Sequence, residues 1–259
     1  MTEPDEVNPA FRKPVQVSLG CHWYGAALPH PDCWDALTAQ AGCIKRLAFK
    51  NPVIDPVRFS RFTLFVSRWL RENMVPLPTT SDTSVETWLN ESNYPKWRKD
   101  QLSEKWTKVG ALDSLASRHF IVKSFIKDEC YPDWKHGRGI NSRTDEFKAA
   151  VGPIFKLIEK ALFKNRHFIK YVPVAERPRV ILERLKRLGG KYIATDYTSF
   201  ESMFTPEFME GCEFQLYEYM TSALPEGATF MRILREVLAG ENVCHWRWFT
   251  LMVLGKRMS

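Results

Sequence analysis

The sequence predicts an α+β fold. Three observations carry that expectation. Amphipathic segments with helix caps recur along the chain, short apolar runs of strand length lie between them, and clusters of proline, glycine, serine and aspartate separate the two. An apolar content of 44% belongs to a folded chain rather than a disordered one. With 259 residues the protein has room for one large domain or two modest ones, and can bury a core without disulfides.

Each element follows in order. Residues 1–20, with Pro4, Pro9 and Pro14, read as an extended arm. Arg58 to Arg71 sets an apolar face against four arginines, a helical pattern. Pro76, Pro78 and the polar stretch 79–84 mark a loop, after which Asp82 or Thr83 is placed to cap a short helix through Trp88 and Leu89. Trp97 to Leu112 is polar, basic and helical in part. Phe120 to Ile126 alternates as a strand does, and Asp128 to Asp145 reads as a loop. Glu146 to Phe163 is the clearest helix, with Gly152-Pro153 expected to break its first turn.

Lys170–Val174 and Val180–Leu182 read as extended. Gly189-Gly190 leads into a predicted strand, Lys191–Thr195, that ends on Asp196. Thr205 is a helix cap, Pro206 suits the first helical position and Glu207 suits the dipole, for a helix reaching Thr221. A second helix spans Thr229 to Ala239 and closes on Gly240. Val243 to Leu254 reads as a hairpin with Gly255-Lys256 near its turn. The chain reads as cut rather than ended at Arg257-Met258-Ser259.

The net charge is +7, and its placement matters more than its size. Between Ile121 and Gly190 there are 16 Lys and Arg against 8 Asp and Glu, so the whole excess lies in this block. Such a surplus attracts phosphates, or forms a solvated basic face. Cys21, Cys33, Cys43, Cys130, Cys212 and Cys244 form no CxxC pair and read as buried thiols in a reducing compartment. Cys21, His22, Cys33 and Cys43 offer four zinc ligands as an alternative, in a spacing that fits no standard finger. The N-terminus is acidic and polar, unlike a signal peptide, and no apolar run reaches the ~18 residues of a membrane span. The expectation is a soluble, cytosolic protein.

Two segments hold residues suited to chemistry. Lys127, Arg138 and Arg143 are long cations spaced along a segment whose alternate positions share a face. They suit a triphosphate channel, the arginines as bidentate donors and the lysine as a point charge. The competing reading is a surface loop whose cations pair with Asp128, Glu129 and Asp145. Asp196 is either a turn former or a metal ligand. Phosphoryl transfer without covalent catalysis calls for divalent metals, and two of them call for at least two carboxylates. Glu201, just beyond, is able to accept a hydrogen bond from a ribose hydroxyl.

These segments resemble the RNA-directed RNA polymerases of positive-strand viruses of the tombusvirus-like group. Phe125-Ile-Lys127-Asp-Glu129, Arg138-x-Ile140-x-x-Arg143, Gly152 and Glu159 are similar to the fingers motif F. Asp196-Tyr-Thr-Ser-Phe-Glu201 resembles motif A, and Gly255-Lys-Arg257-Met258-Ser259 resembles the lead-in to motif B. Val85-Glu-Thr-Trp88-Leu and Tyr94-Pro-Lys-Trp97-Arg98 are similar to segments of invertebrate relatives of the group, so the likeness spans about residues 85–259.

The resemblance implies a right-hand polymerase with helical fingers, a partial antiparallel palm sheet and no thumb. It divides the chain into an N-terminal extension (1–84), fingers with the basic motif (85–190) and a partial palm (191–259). By it, Lys127, Arg138 and Arg143 contact the triphosphate, Asp196 binds the catalytic Mg²⁺ or Mn²⁺, and Glu201 senses the ribose. Aspartate is commoner at the last position; glutamate adds a methylene, about 1.5 Å of reach. The Gly-Asp-Asp of motif C does not occur in the sequence, so the expectation is a fragment inactive alone. The implied partners are an RNA template, the nascent strand, NTPs and other viral replication proteins, in the host cytoplasm at membrane-associated replication sites. Two alternatives stay open. A non-enzymatic basic RNA-binding protein accounts for the charge, and a reverse transcriptase relative shares the palm but tends to carry a bulky side chain where Glu201 stands.

Overall fold

A computed structural model of the chain describes residues 29–48, 51, 53–197 and 200–257, with only the backbone of Glu201 and Ser202. Pro4, Pro9 and Pro14 of the expected arm lie outside these residues. The described part is a mixed α and β structure built on one four-stranded sheet, which agrees with the α+β expectation.

Local chemistry sets most helix ends. α1 (Ala36–Leu47) starts where the Asp35 carboxylate accepts the Thr38 N–H. α2 (Pro56–Asn73) starts where Asp55 accepts from Val57 and Arg58, with Pro56 at a position whose missing N–H costs nothing. α3 (Val85–Glu91) is capped by the Ser84 hydroxyl, not by Asp82 or Thr83; Asp82 instead accepts from Ser84 N–H and the Thr87 hydroxyl. α4 (Lys96–Val109) ends at Gly110, whose φ of 78° favours glycine.

α5 (Asp145–Leu162), capped by Thr144, runs unbroken through Pro153, which corrects the expected break. Packing explains the pair: Gly152 lies against Trp88 of α3, and a Cβ there would come within 2.6 Å of the ring. α6 (Arg177–Leu185) contains Val180–Leu182, expected as extended. Arg179 reaches Glu176 and Glu183 at helical spacing, and that outweighs a short β-branched run. Thr205 caps α7 (Pro206–Phe208) as expected, and a π-helical turn, Met209–Glu213, leads into α8 (Phe214–Thr221). α9 (Gly227–Leu234) continues through a second π-helical turn, Arg235–Ala239.

The strands are β1 (Val122–Ile126), β2 (Gly139–Arg143), β3 (Glu241–His245) and β4 (Thr250–Leu254), in the order β2-β1-β3-β4. β1–β2 and β3–β4 are antiparallel hairpins, but β1 and β3 run parallel, so the sheet is mixed rather than antiparallel. β2 occupies part of the expected loop Asp128–Asp145. The turn of the second hairpin is Trp246–Phe249, ahead of Gly255-Lys256. Strands from the 85–190 and 191–259 regions thus join in one sheet.

Lys191–Thr195 is not a strand. Its backbone has no sheet partner among the described residues, Ile193 is 91% exposed, and the Arg187 N–H donates to the Tyr192 hydroxyl, folding the segment onto its own preceding turn. β4 is an edge, with Met252 and Leu254 exposed along it.

Two main cores hold the elements. Leu70, Ile154, Ile158, Phe214, Met220, Phe230 and Ile233 join α2, α5, α8 and α9, each buried side chain of this kind contributing roughly 1.5–3 kcal/mol. Ala39, Cys43, Val122, Cys244, Trp246 and Val253 pack α1 on the sheet. A smaller cluster, Val85, Leu89, Leu102 and Ala149, seats α3 and α4 on α5.

The α4–α5 contact also carries a forked ion pair. Arg98 donates to both Asp145 oxygens, at 2.7 and 2.6 Å, and both side chains are largely covered. The Arg98 hydrogen bonds hold the Asp145 carboxyl below its usual range. A depressed folded pKa stabilises above the unfolded value and loses that contribution as pH falls. Wild type is therefore expected to be more stable than Asp145→Asn near neutrality, and the two urea midpoints to converge as pH falls below about 4. A gap that persists unchanged at strongly acid pH contradicts this account.

Candidate nucleotide interface

The β1–β2 pairing decides which cations meet. Ile126 faces Gly139, and the Lys127 N–H donates to the Arg138 carbonyl at 2.8 Å, so Lys127 and Arg138 stand side by side where the connecting loop leaves and rejoins the hairpin. Glu129 lies between them. Its carboxylate accepts from Lys127 Nζ at 2.5 Å, Arg138 Nη1 at 3.3 Å and the Tyr131 hydroxyl at 2.6 Å. The Lys127 bond, then the Tyr131 bond, holds the Glu129 carboxyl below its usual range. Burial, then the bond to Glu129, pushes the Tyr131 phenol up to about 12. Lys127 and Arg138 are each nearly half exposed, at 46% and 48%, so an anion from solvent can reach both. Any phosphate that binds there competes with Glu129. The pairing matches the alternative reading of this loop for Glu129, and the role of Tyr131 has no local signature in the sequence.

Arg143 does not join them. It ends β2 buried, donating to the Phe120 carbonyl (2.6 Å), the Val237 carbonyl (2.9 Å) and Asn242 Oδ1 (2.5 Å). Its guanidinium lies over the Phe147 ring, and burial lowers its pKa to about 10. The expected three-cation cluster is thus a pair, Lys127 and Arg138, and Arg143 braces the interior in this conformation.

Asp196 sits at the end of the exposed segment 191–197, and no described residue hydrogen-bonds or ion-pairs with its carboxylate. The next residue, Tyr197, packs on Phe200 at 5.5 Å. Both rings line a groove of about 570 Å³ together with Asp55, which caps α2, and Arg58, Phe59 and Phe62 of α2. Glu201 falls in the 3₁₀ turn Phe200–Met203, but its side chain, like Thr198, Ser199, Met258 and Ser259, lies outside the described residues. Arg257 pairs with Glu213 at 2.9 Å and covers the Phe204 ring, and Lys256 donates to Asn51 Oδ1 at 3.0 Å. Arg257 is thereby joined to the segment that follows Asp196, and Lys256 to the residues ahead of α2.

Among the described residues no three His, Cys, Asp or Glu side chains gather as a metal site. Asp196 offers one hard oxygen donor group of the kind Mg²⁺ takes, and a complete site needs a further carboxylate. Cys21 and His22 of the zinc alternative lie outside the described residues. Burial raises Cys43 to about 12 and Cys244 to about 11, so both stay protonated thiols. No helix among the described residues is long and apolar enough to cross a membrane. No protein-family model matches the chain, and no curated protein matches it.

Proposed function

We propose that the chain forms the fingers and part of the palm of an RNA-templated RNA polymerase of a positive-strand virus. The observation that carries this reading is the setting of Asp196. Its carboxylate is exposed and has no partner among the described residues, just ahead of a helix capped by Thr205. The resemblance of Asp196–Glu201 to motif A adds to it. The reaction joins an RNA 3′-hydroxyl to the α-phosphate of an NTP and releases pyrophosphate. Mg²⁺, when bound, neutralises phosphate charge and makes the attacking hydroxyl more acidic. Asp196 holds the metal through its carboxylate, and Lys127 and Arg138 hold the triphosphate. Glu201 accepts from the ribose 2′-hydroxyl, which selects RNA precursors. One carboxylate is too few for two metals, so catalysis belongs to a longer chain or assembly that supplies the rest.

Glu129 gives a test on the chain itself. A triphosphate and Glu129 compete for the same two cations, so Glu129→Gln strengthens binding of inorganic triphosphate. The expected gain by calorimetry is about two- to fivefold, the equivalent of an exposed ion pair of ~0.5–1 kcal/mol. Lys127→Met abolishes that gain. Unchanged affinity in Glu129→Gln removes Lys127 and Arg138 from the triphosphate role. The second reading, non-enzymatic RNA binding, draws on the interior position of Arg143 and on the basic surplus of residues 121–190. It predicts salt-sensitive RNA affinity and no dependence on Asp196 in any assembly.

A further inference from the structure

The sheet has a gap beside β1, and aromatic rings line it. β1 and β3 pair only at Val122–Cys244 and Lys123–His245. Past His245 the chain turns away through Trp246–Phe249, while Ser124, Phe125 and Ile126 run on paired with β2 alone. One backbone edge of these three residues has no strand beside it among the described residues. A cavity of about 320 Å³ opens there, lined by Trp34, Phe125, Asp128, Trp246, Arg247 and Trp248 among others. Its volume is at the small end of ligand sites, right for a single planar group and too small for a duplex.

The chemistry of the walls points to one ligand class. The Arg247 guanidinium lies over the Trp34 ring at 4.8 Å, and Arg247 is exposed. Phe125 keeps 53% of its surface open in the middle of a strand. Arginine and aromatic faces of this kind stack bases irrespective of sequence. A nucleobase presents a flat π-face for such stacking and amino groups at its edge. Asp128, whose Oδ1 lies 2.8 Å from His30 Nε2, offers the acceptor that a base amino group needs. Lys123 shares the exposed side of β1 with Phe125, and Lys127 follows two residues on, so cations for the flanking phosphates stand beside the opening.

We infer that this cavity takes one unpaired base of a single-stranded nucleic acid, stacked on Phe125 and on the Trp34–Arg247 pair. Asp196 is not among the lining residues, and the site, which borders the Lys127 of the proposed triphosphate pair, serves a plain RNA-binding protein equally well.

The test compares oligoadenylate of about eight nucleotides with an abasic oligomer of the same phosphate count, by fluorescence anisotropy on the 259-residue chain. Wild type is expected to bind the base-bearing oligomer about tenfold tighter, with quenching of tryptophan emission. The variant Phe125→Ser with Arg247→Ala, both at exposed positions, loses that preference, while its affinity for the abasic oligomer and its urea midpoint change little. The deoxyadenylate counterpart binding as tightly assigns the site to the base alone; weaker binding adds a sugar contact to it. Equal affinity of wild type for the two oligomers, binding of neither, or a preference that survives in the variant overturns the inference. If the double variant does not fold, Arg247→Ala alone, read by the same affinity ratio, decides it.

Discussion

Arg143→Met is expected to lower the free energy of unfolding by about 2–4 kcal/mol, a large change for a domain of ordinary stability. The guanidinium gives hydrogen bonds to Phe120 O ahead of β1, Val237 O in the π-helical turn after α9 and Asn242 Oδ1 on β3. Removing it leaves three covered acceptors without a donor, each costing about 1–3 kcal/mol. Relief from burying a cation offsets part of the sum. Arg143→Lys keeps the charge but not the planar fork, so it recovers only a fraction of the loss. Urea titrations of the three proteins measure this, and an unshifted midpoint for Arg143→Met contradicts the bracing role. The result bears on function too. In a complete polymerase, loss of synthesis on changing Arg143 follows from a weakened fold and is no measure of triphosphate contact.

Asp196→Asn has the opposite signature. The carboxylate is exposed and has no partner among the described residues, so the substitution leaves the urea midpoint of this chain within about 0.5 kcal/mol of wild type. On the proposed reading, the same change in a complete polymerase removes a metal ligand and lowers RNA synthesis at least ~100-fold, or ~2.7 kcal/mol of barrier. RNA affinity stays nearly intact, because the amide replaces a group that RNA does not need. Turnover retained by Asp196→Asn in the full enzyme sinks the metal role outright.

Elements with local signatures were legible in the sequence. The Thr205-Pro206 start, the amphipathic run of α2 and the alternation of β1 depend on neighbours within a few residues, and the structure has them where expected. Elements defined by distant partners were not. β2 is Gly-Ile-Asn-Ser-Arg, a polar sequence that becomes a strand because β1 lies alongside. Arg143 looks like any other cation until Asn242 and the Val237 carbonyl close round it. Lys191–Thr195 illustrates the reverse case, since a strand-like composition without an adjacent strand among the described residues stays irregular and exposed. For the candidate site, the sequence marked Lys127, Arg138 and Asp196 as chemically apt and offered Glu129 as a pairing acid, but the Tyr131 contact came only from side-chain geometry. The cavity at β1 arises where two strands diverge, and no single segment encodes it.

The parallel contact of Val122 with Cys244 has a consequence during protein synthesis. The first hairpin leaves the ribosome long before the second is translated, and meanwhile its apolar side and one ladder edge wait uncovered. A ribosome stalled before residue 241 accordingly presents chaperones with a first hairpin that lacks the strand completing its sheet, and with α1 missing much of the surface it packs on.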